Sequence, residues 1–267
     1  MYHSHWGLDE TPFRSQLDPR FFYQSPTHEE ALARLHFLVD YRRRLGLLIG
    51  PQGSGKSLLL EVFAGELRGR GLPVAKVNLM GLDRVEMLWL VAGEFGLNPS
   101  CELALASLCR MVTDRITEYR YQQIDTVLLF DDADRASEEV LTHVARLVQF
   151  DPSPDSRLTI VLAGCEERIR RLGDTLLERA ELRIDVQPWE PADTESYLKA
   201  SLARAGRQAP VFLDPAIERL HQLGEGIPRR INQLADLALL AGAGRKLEKI
   251  DADTVESVYH ELGVIEV

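Results

Sequence analysis

The chain has 267 residues, which is enough for one large domain or two unequal ones with a full hydrophobic core. Its net charge of −10 argues against nucleic-acid binding, because that affinity comes largely from Lys and Arg that neutralise phosphates. No apolar run reaches the roughly 18 residues of a membrane span, and the N-terminus lacks the pattern of a signal peptide. We therefore expect a cytoplasmic protein without an integral membrane segment.

Short apolar runs alternate with longer helical patterns along the first two thirds of the chain, which is typical of a parallel sheet with crossover helices. Several runs are almost continuously apolar, as in strands that are covered on both faces. The predicted strands cover residues 45–50, 74–80, 126–130, 158–163 and 182–186. Apolar residues from Leu105 to Tyr119 recur at steps of three and four and predict one long amphipathic helix.

After Pro188 the strand patterns stop and only helical patterns follow. Asp214 as N-cap, Pro215 in the first turn and Gly224 past the end bracket one short helix. Pro228 is predicted to open a second helix, and residues 255–262 carry the pattern of a last one. We therefore expect an α/β core followed by a small helical part.

The three cysteines, Cys101, Cys109 and Cys165, are odd in number and lack the spacing of metal ligands. They are interpreted as small buried thiols of a reduced, cytoplasmic protein.

A glycine-rich motif lies between the first predicted strand and a predicted helix. It fits the phosphate-binding P-loop pattern and consists of Gly50, Pro51, Gln52, Gly53, Ser54, Gly55, Lys56 and Ser57. Glycines allow consecutive backbone N–H groups to face phosphate oxygens, and the helix N-terminus adds partial positive charge. Lys56 is expected to reach the β- and γ-phosphates of ATP, and the Ser57 hydroxyl to bind Mg²⁺. Leu58 is included among the nucleotide-binding candidates.

A second motif consists of an apolar strand that ends in two carboxylates, Asp131 and Asp132. At the carboxyl edge of a parallel sheet, Asp131 would face the metal beside the P-loop, as a Walker B aspartate does. Asp132 would orient the attacking water. The alternative interpretation is that the two acids cap the helix that follows.

Two arginines and two aromatic residues complete the candidate site. Arg229 opens a lid helix, where an arginine would reach back to the γ-phosphate, and Arg179 precedes the last strand, where an arginine finger is presented to a neighbouring subunit. Tyr23 and His28, just before the first core helix, are candidates to flank the adenine. The alternatives are surface positions for the arginines and core packing for the two rings.

Several stretches of sequence resemble the ExeA-like ATPases, also called general secretion pathway protein A, of the AAA+ superfamily. The residues that carry the resemblance are His5-Trp6-Gly7-Leu8 with Pro12-Phe13, Asp18-Pro19-Arg20-Phe21-Phe22-Tyr23 with His28-Glu29-Glu30-Ala31-Leu32, the P-loop and Walker B motifs, and Gly226-Ile227-Pro228-Arg229-Arg230-Ile231-Asn232. The resemblance covers nearly the whole chain. It implies a P-loop AAA+ α/β core with a five-stranded parallel sheet and an all-helical lid. It also implies ATP hydrolysis coupled to assembly of an envelope apparatus.

On this basis we divide the chain into a family-specific N-terminal segment with the first core helix (1–40), the AAA+ core (41–190) and the helical lid (191–267). Three departures from the family matter. Asp132 stands where Glu is usual, and Gly164-Cys165 stands where the sensor-1 amide is usual. Members also often continue into a transmembrane helix and a periplasmic region, whereas this sequence stops at Val267.

These observations leave three functions open. The leading one is a cytoplasmic, slowly hydrolysing ATPase that assembles or regulates a protein partner as a nucleotide-dependent homo-oligomer, peripheral at the inner membrane through that partner. The second is a nucleotide-gated binding switch with little turnover. The third is a DNA-associated ATPase of the transposition or initiator type, for which the run Arg42-Arg43-Arg44 is the one tight basic patch.

Overall fold

The computed structural model describes residues 2–13, 17–100 and 102–263, which form two compact units. The sheet unit comprises His28–Pro51 and Lys56–Val186. The helical unit comprises the described residues before His28, Gln52–Gly55 and the described residues from Gln187 onward. Whether the chain divides functionally at 1–40, 41–190 and 191–267 stays a prediction.

The secondary structure is as follows. The strands are β1 Leu45–Ile49, β2 Val74–Asn78, β3 Thr126–Asp131, β4 Leu158–Gly164 and β5 Leu182–Asp185. The α-helices are α1 Tyr2–Trp6, α2 Pro26–Asp40, α3 Lys56–Gly69, α4 Arg84–Glu94, α5 Leu105–Tyr121, α6 Glu138–Gln149, α7 Asp174–Leu177, α8 Pro191–Arg204, α9 Asp214–Gly224, α10 Pro228–Gly244 and α11 Ala252–Gly263. All five predicted strands and the long helix α5 are confirmed.

The sheet has the order β2-β3-β4-β1-β5, and each pair of neighbouring strands is parallel. Every residue of β1, β3 and β4 is buried, as continuous apolar strands between two layers of helices require. Because the strands are parallel, their carboxyl ends share one edge of the sheet. The P-loop follows β1 at this edge, and Asp131 ends β3 there.

Helices α4, α5 and α6 pack against the sheet and share its hydrophobic core. Their ends are held by side chains. Asp83 and Glu86 form a reciprocal capping box at the start of α4, and the Ser137 hydroxyl accepts a hydrogen bond from the Val140 N–H at the start of α6.

The helical unit has its own core, formed by α8 to α11 together with Trp6 of α1. Trp6 is buried, and its indole N–H donates to the Leu239 carbonyl at 2.8 Å. This contact explains why the N-terminal residues belong to the same unit as the C-terminal helices. No helix in the described part of the chain has the length and apolar character needed to cross a bilayer.

Both predicted boundaries of the helix at 214–224 are wrong by one residue. Leu213 is the N-cap, because its carbonyl already accepts from the Ile217 N–H at 3.1 Å, and Asp214 is the first helical residue. At the other end Gly224 is still helical, and Glu225 takes the left-handed conformation at φ 52°. The prediction that Pro228 opens the next helix is confirmed.

Candidate nucleotide-binding site

The P-loop occupies the turn between β1 and α3, as its strand–loop–helix context predicts. Gly53 and Gly55 have φ values of 87° and 95°, in a region that side-chain-bearing residues rarely adopt. The glycines are therefore required by the backbone path of this loop.

The Lys56 ammonium is held within the P-loop. It donates to the carbonyl of Gly50 at 2.9 Å and to that of Pro51 at 2.8 Å. Burial lowers the pKa of Lys56 from its ordinary value, while nearby acidic groups oppose that effect. The two hydrogen bonds hold the ammonium at the mouth of the loop, where phosphate oxygens can replace the carbonyls as acceptors.

The structure brings together the two residues predicted to hold Mg²⁺. Asp131 is buried at the end of β3, and its carboxylate accepts hydrogen bonds from the Ser57 hydroxyl and from the Asp132 N–H, the latter at 3.0 Å. Burial raises the pKa of Asp131, and the Ser57 hydrogen bond acts in the opposite direction.

This pair fits Mg²⁺ bound with a nucleotide. The described residues contain no group of three or more His, Cys, Asp or Glu side chains able to hold a metal alone. Mg²⁺ binds hard oxygen ligands and usually takes one or two from protein and the rest from phosphates and water. The Ser57 hydroxyl and the Asp131 carboxylate provide that small set.

Asp132 has an unusual backbone and a partner that sequence analysis missed. Its φ of 49° and ψ of 36° are left-handed, and its side chain makes no capping hydrogen bond to the turn that follows. Its carboxylate accepts from the Asn78 side-chain amide at 2.8 Å, while the Asn78 oxygen accepts from the Met80 N–H at 2.9 Å. Asn78 lies directly beside Asp131 in the β2–β3 register. The feature of the sequence that could have indicated this contact was a polar residue at the end of β2.

A second missed feature lies at the end of β4. A Cβ atom on Gly164 would lie only 2.8 Å from Oδ1 of Asp134, so the Asp134 carboxylate takes the space of a side chain at this position. Asp134 is fully buried and pairs with Arg168, Nε to Oδ2, at 2.7 Å. Cys165 is also buried here. The Asp134 carboxylate, which belongs to the turn after β3, therefore lies beside the end of β4.

Within the helical unit, Arg229 lies beside the P-loop residues Gln52–Gly55. Its backbone N–H donates to the Gly53 carbonyl at 3.2 Å, and a Cβ atom on Gly53 would lie 3.0 Å from the Cβ of Arg229. The guanidinium belongs to an exposed residue. The first turn of α10 thus places this arginine at the loop itself.

Arg179 lies elsewhere in the sheet unit. It precedes β5 and lines an open groove of about 420 Å³ near Arg44 and Glu181. The Glu181 N–H donates to the Leu45 carbonyl at 2.9 Å, which places this segment at the amino end of β1. The P-loop follows the other end of that strand, so the structure does not bring Arg179 to the Lys56 site.

The two aromatic candidates occupy different surroundings. Tyr23 packs edge-on against Trp189 and Tyr197 of the helical unit, with ring centroids 5.7 and 5.5 Å apart. The placement of His28 before the first core helix is wrong, because α2 begins at Pro26 and His28 is buried within it. Pro26 supplies a backbone suited to a first helical turn, which starts the helix earlier. A role of Tyr23 at the adenine stays a prediction.

The cysteines give no metal site among the described residues. Cys165 is buried, whereas Cys109 is half-buried in α5, and burial raises the pKa of its thiol. Cys101 lies outside the described residues.

Comparison with known proteins identifies the family and the fold of this chain. Residues 39–172 match a family model described as an AAA domain. The sequence is 28% identical over 99% of its length to general secretion pathway protein A of Aeromonas hydrophila, of which it covers 49%. The chain thus spans about half the length of this curated relative.

Solved structures show the same fold at low sequence identity. Cdc6p of Pyrobaculum aerophilum superposes with a TM-score of 0.72 at 16% identity, over 91% of this chain and 68% of that one. The Aeropyrum pernix ORC1 protein, solved in complex with DNA, gives 0.67 at 15% identity, over 97% and 69%. The predicted α/β fold and the resemblance to general secretion pathway protein A are confirmed, and the chain belongs to the AAA domain family of P-loop ATPases.

Proposed function

We propose that the protein binds Mg-ATP and hydrolyses it slowly to drive the assembly or regulation of a partner complex, as a nucleotide-dependent homo-oligomer. The observation that carries the proposal is the cluster at the carboxyl edge of the sheet. Lys56 is held at the P-loop carbonyls, Ser57 bonds Asp131, and Asp132 follows at once.

Each residue has a separate task in this mechanism. Mg²⁺, when bound with the nucleotide, neutralises charge on the phosphate oxygens. The Lys56 ammonium exchanges its two carbonyl partners for phosphate oxygens and fixes the phosphate chain. The Asp132 carboxylate accepts a hydrogen bond from the attacking water and orients it, and the Asn78 amide holds that carboxylate in place.

A binding switch that retains ATP is the second candidate, and a specific observation favours it. Asp132 has a shorter side chain than the usual Glu, and Asn78 draws its carboxylate toward β2. Single-turnover hydrolysis, with enzyme in excess over ATP, separates the two functions because it measures the chemical step alone. The ATPase converts the bound ATP within the assay, whereas the switch releases it unchanged.

Replacing Asp132 with glutamate is expected to raise the single-turnover rate with little change in ATP affinity. The carboxylate advances by about 1 Å, and misplacement on that scale can cost roughly 10²-fold in rate. Asp132→Asn, which keeps the size and removes the charge, is the matched control and is expected to hydrolyse ATP more slowly than the wild type, at a residual rate that can still be measured. Equal or lower activity of Asp132→Glu would show that the local backbone already compensates for the shorter side chain.

Replacing Arg229 with alanine is expected to narrow the preference for ATP over ADP while both nucleotides still bind. The reason is that the side chain starts beside Gly53 and would contact the γ-phosphate, which ADP lacks. Calorimetric titration with each nucleotide measures the ratio of affinities. Arg230→Ala, at the next position of α10, is the control, and an unchanged ratio in Arg229→Ala would assign Arg229 to lid packing.

The proposal also covers the partner of this protein, its location in the cell and whether it binds DNA. The name of the secretion-pathway relative supports a protein partner in an envelope apparatus, with the chain in the cytoplasm or held at the inner membrane by that partner. Two members of the basic run, Arg42 and Arg43, are already paired with Asp125 and Glu181. We therefore expect no salt-dependent DNA shift in a gel assay.

A further inference from the structure

Asp134 carries a buried carboxylate that has no role in the mechanism proposed above. It lies in the short 3₁₀ turn Ala133–Arg135, two residues after Asp132. Its partner Arg168 lies in the 3₁₀ segment Glu166–Leu172, which follows β4. The ion pair therefore ties the turn after β3 to the segment after β4.

Each of the two charged groups in this ion pair has an atom without a hydrogen-bond partner. Asp134 Oδ2 accepts from Arg168 Nε, but Asp134 Oδ1 and Arg168 Nη2 are buried without a hydrogen-bond partner. A buried acceptor and a buried donor that remain unpaired both oppose folding. Stability alone does not explain why a carboxylate and a guanidinium occupy these positions.

The surroundings fix where the Asp134 carboxylate can go. Its Oδ1 and Cβ lie 2.8 and 3.2 Å from the place of a Cβ atom on Gly164. Any side chain at position 164 would collide with the Asp134 carboxylate. The position of this carboxylate therefore requires glycine at the end of β4. The Asp134 carboxylate thus takes the space that a side chain at position 164 would occupy.

The turn that this contact holds begins at Asp132. A non-glycine residue with left-handed backbone angles persists only where the surrounding structure holds it. On one side Asn78 binds the Asp132 carboxylate. On the other side the chain runs directly into the turn that Asp134 and Arg168 anchor.

We propose that Asp134 is a positioning residue for ATP hydrolysis, acting with Arg168 to press the turn after β3 against Gly164 and so to set the direction of the Asp132 carboxylate. The inference rests on the proposed function of Asp132 as the group that orients water. It adds an anchor at the end of β4, where Gly164 has no side chain, and the anchor is supplied by the Asp134 carboxylate rather than by Cys165.

The test measures whether Asp134 acts through Asp132. Asp134→Asn keeps the size of the side chain and removes the charge that holds Arg168. We expect the turnover number to fall by about tenfold to a hundredfold, the loss that a misplacement near 1 Å produces, with ATP affinity unchanged. In the Asp132→Asn background the same substitution is expected to have no further effect, because residues that act as one unit are not additive.

The control variant replaces a different arginine in the segment that carries Arg168. Arg171→Gln changes an exposed residue of the segment Glu166–Leu172 and is expected to retain wild-type turnover, whereas Arg168→Gln is expected to match Asp134→Asn. Wild-type turnover in a folded Asp134→Asn protein would overturn the inference. So would a loss of turnover that simply adds to that of Asp132→Asn.

A second variant covers the case in which Asp134→Asn does not fold. Gly164→Ala keeps both charges and pushes the carboxylate away by several tenths of an ångström, and we expect lower turnover with unchanged ATP affinity. Gly93→Ala, in α4 where an added Cβ atom would meet nothing within 4 Å, is the matched control. If Asp132→Asn itself keeps full turnover, the proposed function of Asp132 fails; if only the variants at 134, 164 and 168 keep it, this inference fails alone.

Discussion

Replacing Lys56 with alanine is expected to abolish the stabilisation of the fold by Mg-ATP. In the wild-type protein a bound ligand raises the free energy of unfolding by RT ln(1 + [L]/Kd), which is about 2.7 kcal/mol at a hundredfold excess over Kd. Lys56 carries the charge at the mouth of the P-loop, where its ammonium contacts the carbonyls of Gly50 and Pro51. Without that charge the phosphates lose their strongest side-chain partner.

The measurement compares melting temperatures with and without Mg-ATP for each protein. The difference within one variant removes any direct effect of the substitution on the unliganded fold. Lys199→Ala, which removes an exposed lysine of α8 that pairs with Glu195, is the control and is expected to shift like the wild type. A normal shift in Lys56→Ala would place the nucleotide site elsewhere.

The sequence predicts those parts of the fold and site that depend on local pattern. The buried strands, the P-loop between β1 and α3 and the helical character after Pro188 all follow from periodicity and motif spacing. Ser57 and Asp131 are far apart in sequence, yet they could be paired because parallel strands bring their carboxyl ends to one edge.

The missed residues depend on contacts between distant segments that carry no motif. Asn78 contacts Asp132 across the β2–β3 pair, and Asp134 contacts Arg168 across β3 and β4. A buried carboxylate beside Gly164 can be recognised only from coordinates, because its partner and the missing Cβ atom lie 34 and 30 residues away in sequence. Helix ends such as Leu213 and Glu225 were missed for a different reason, since the backbone alone supplies their hydrogen bonds.

Replacing Arg179 with alanine is expected to leave ATP binding intact and to reduce hydrolysis by about 10³- to 10⁵-fold, or roughly 4–7 kcal/mol of transition-state stabilisation. Arg179 lies at the amino end of β1, and the five residues of that strand at about 3.3 Å each separate it from the P-loop. It therefore cannot serve the site of its own sheet unit. We expect it to serve the site of a neighbouring subunit.

An arginine supplied by a neighbour makes hydrolysis depend on association. A head-to-tail contact places different surfaces of the two subunits together, so each interface contains one P-loop and one Arg179. Specific activity should therefore rise with protein concentration in the presence of ATP. Arg171→Ala removes an exposed arginine of the same sheet unit and is the control for a general loss of positive charge.

Mixing two inactive variants gives the sharpest test of this arrangement. Lys56→Ala keeps Arg179 but lacks a working P-loop, and Arg179→Ala keeps the P-loop but lacks the arginine. Where a Lys56→Ala subunit places its Arg179 at the P-loop of an Arg179→Ala subunit, the site has both a working P-loop and an arginine. The mixture should therefore recover some activity. If activity per subunit is constant on dilution and the mixture remains inactive, Arg179 takes no part in hydrolysis and the nucleotide-gated switch becomes the better account of the site.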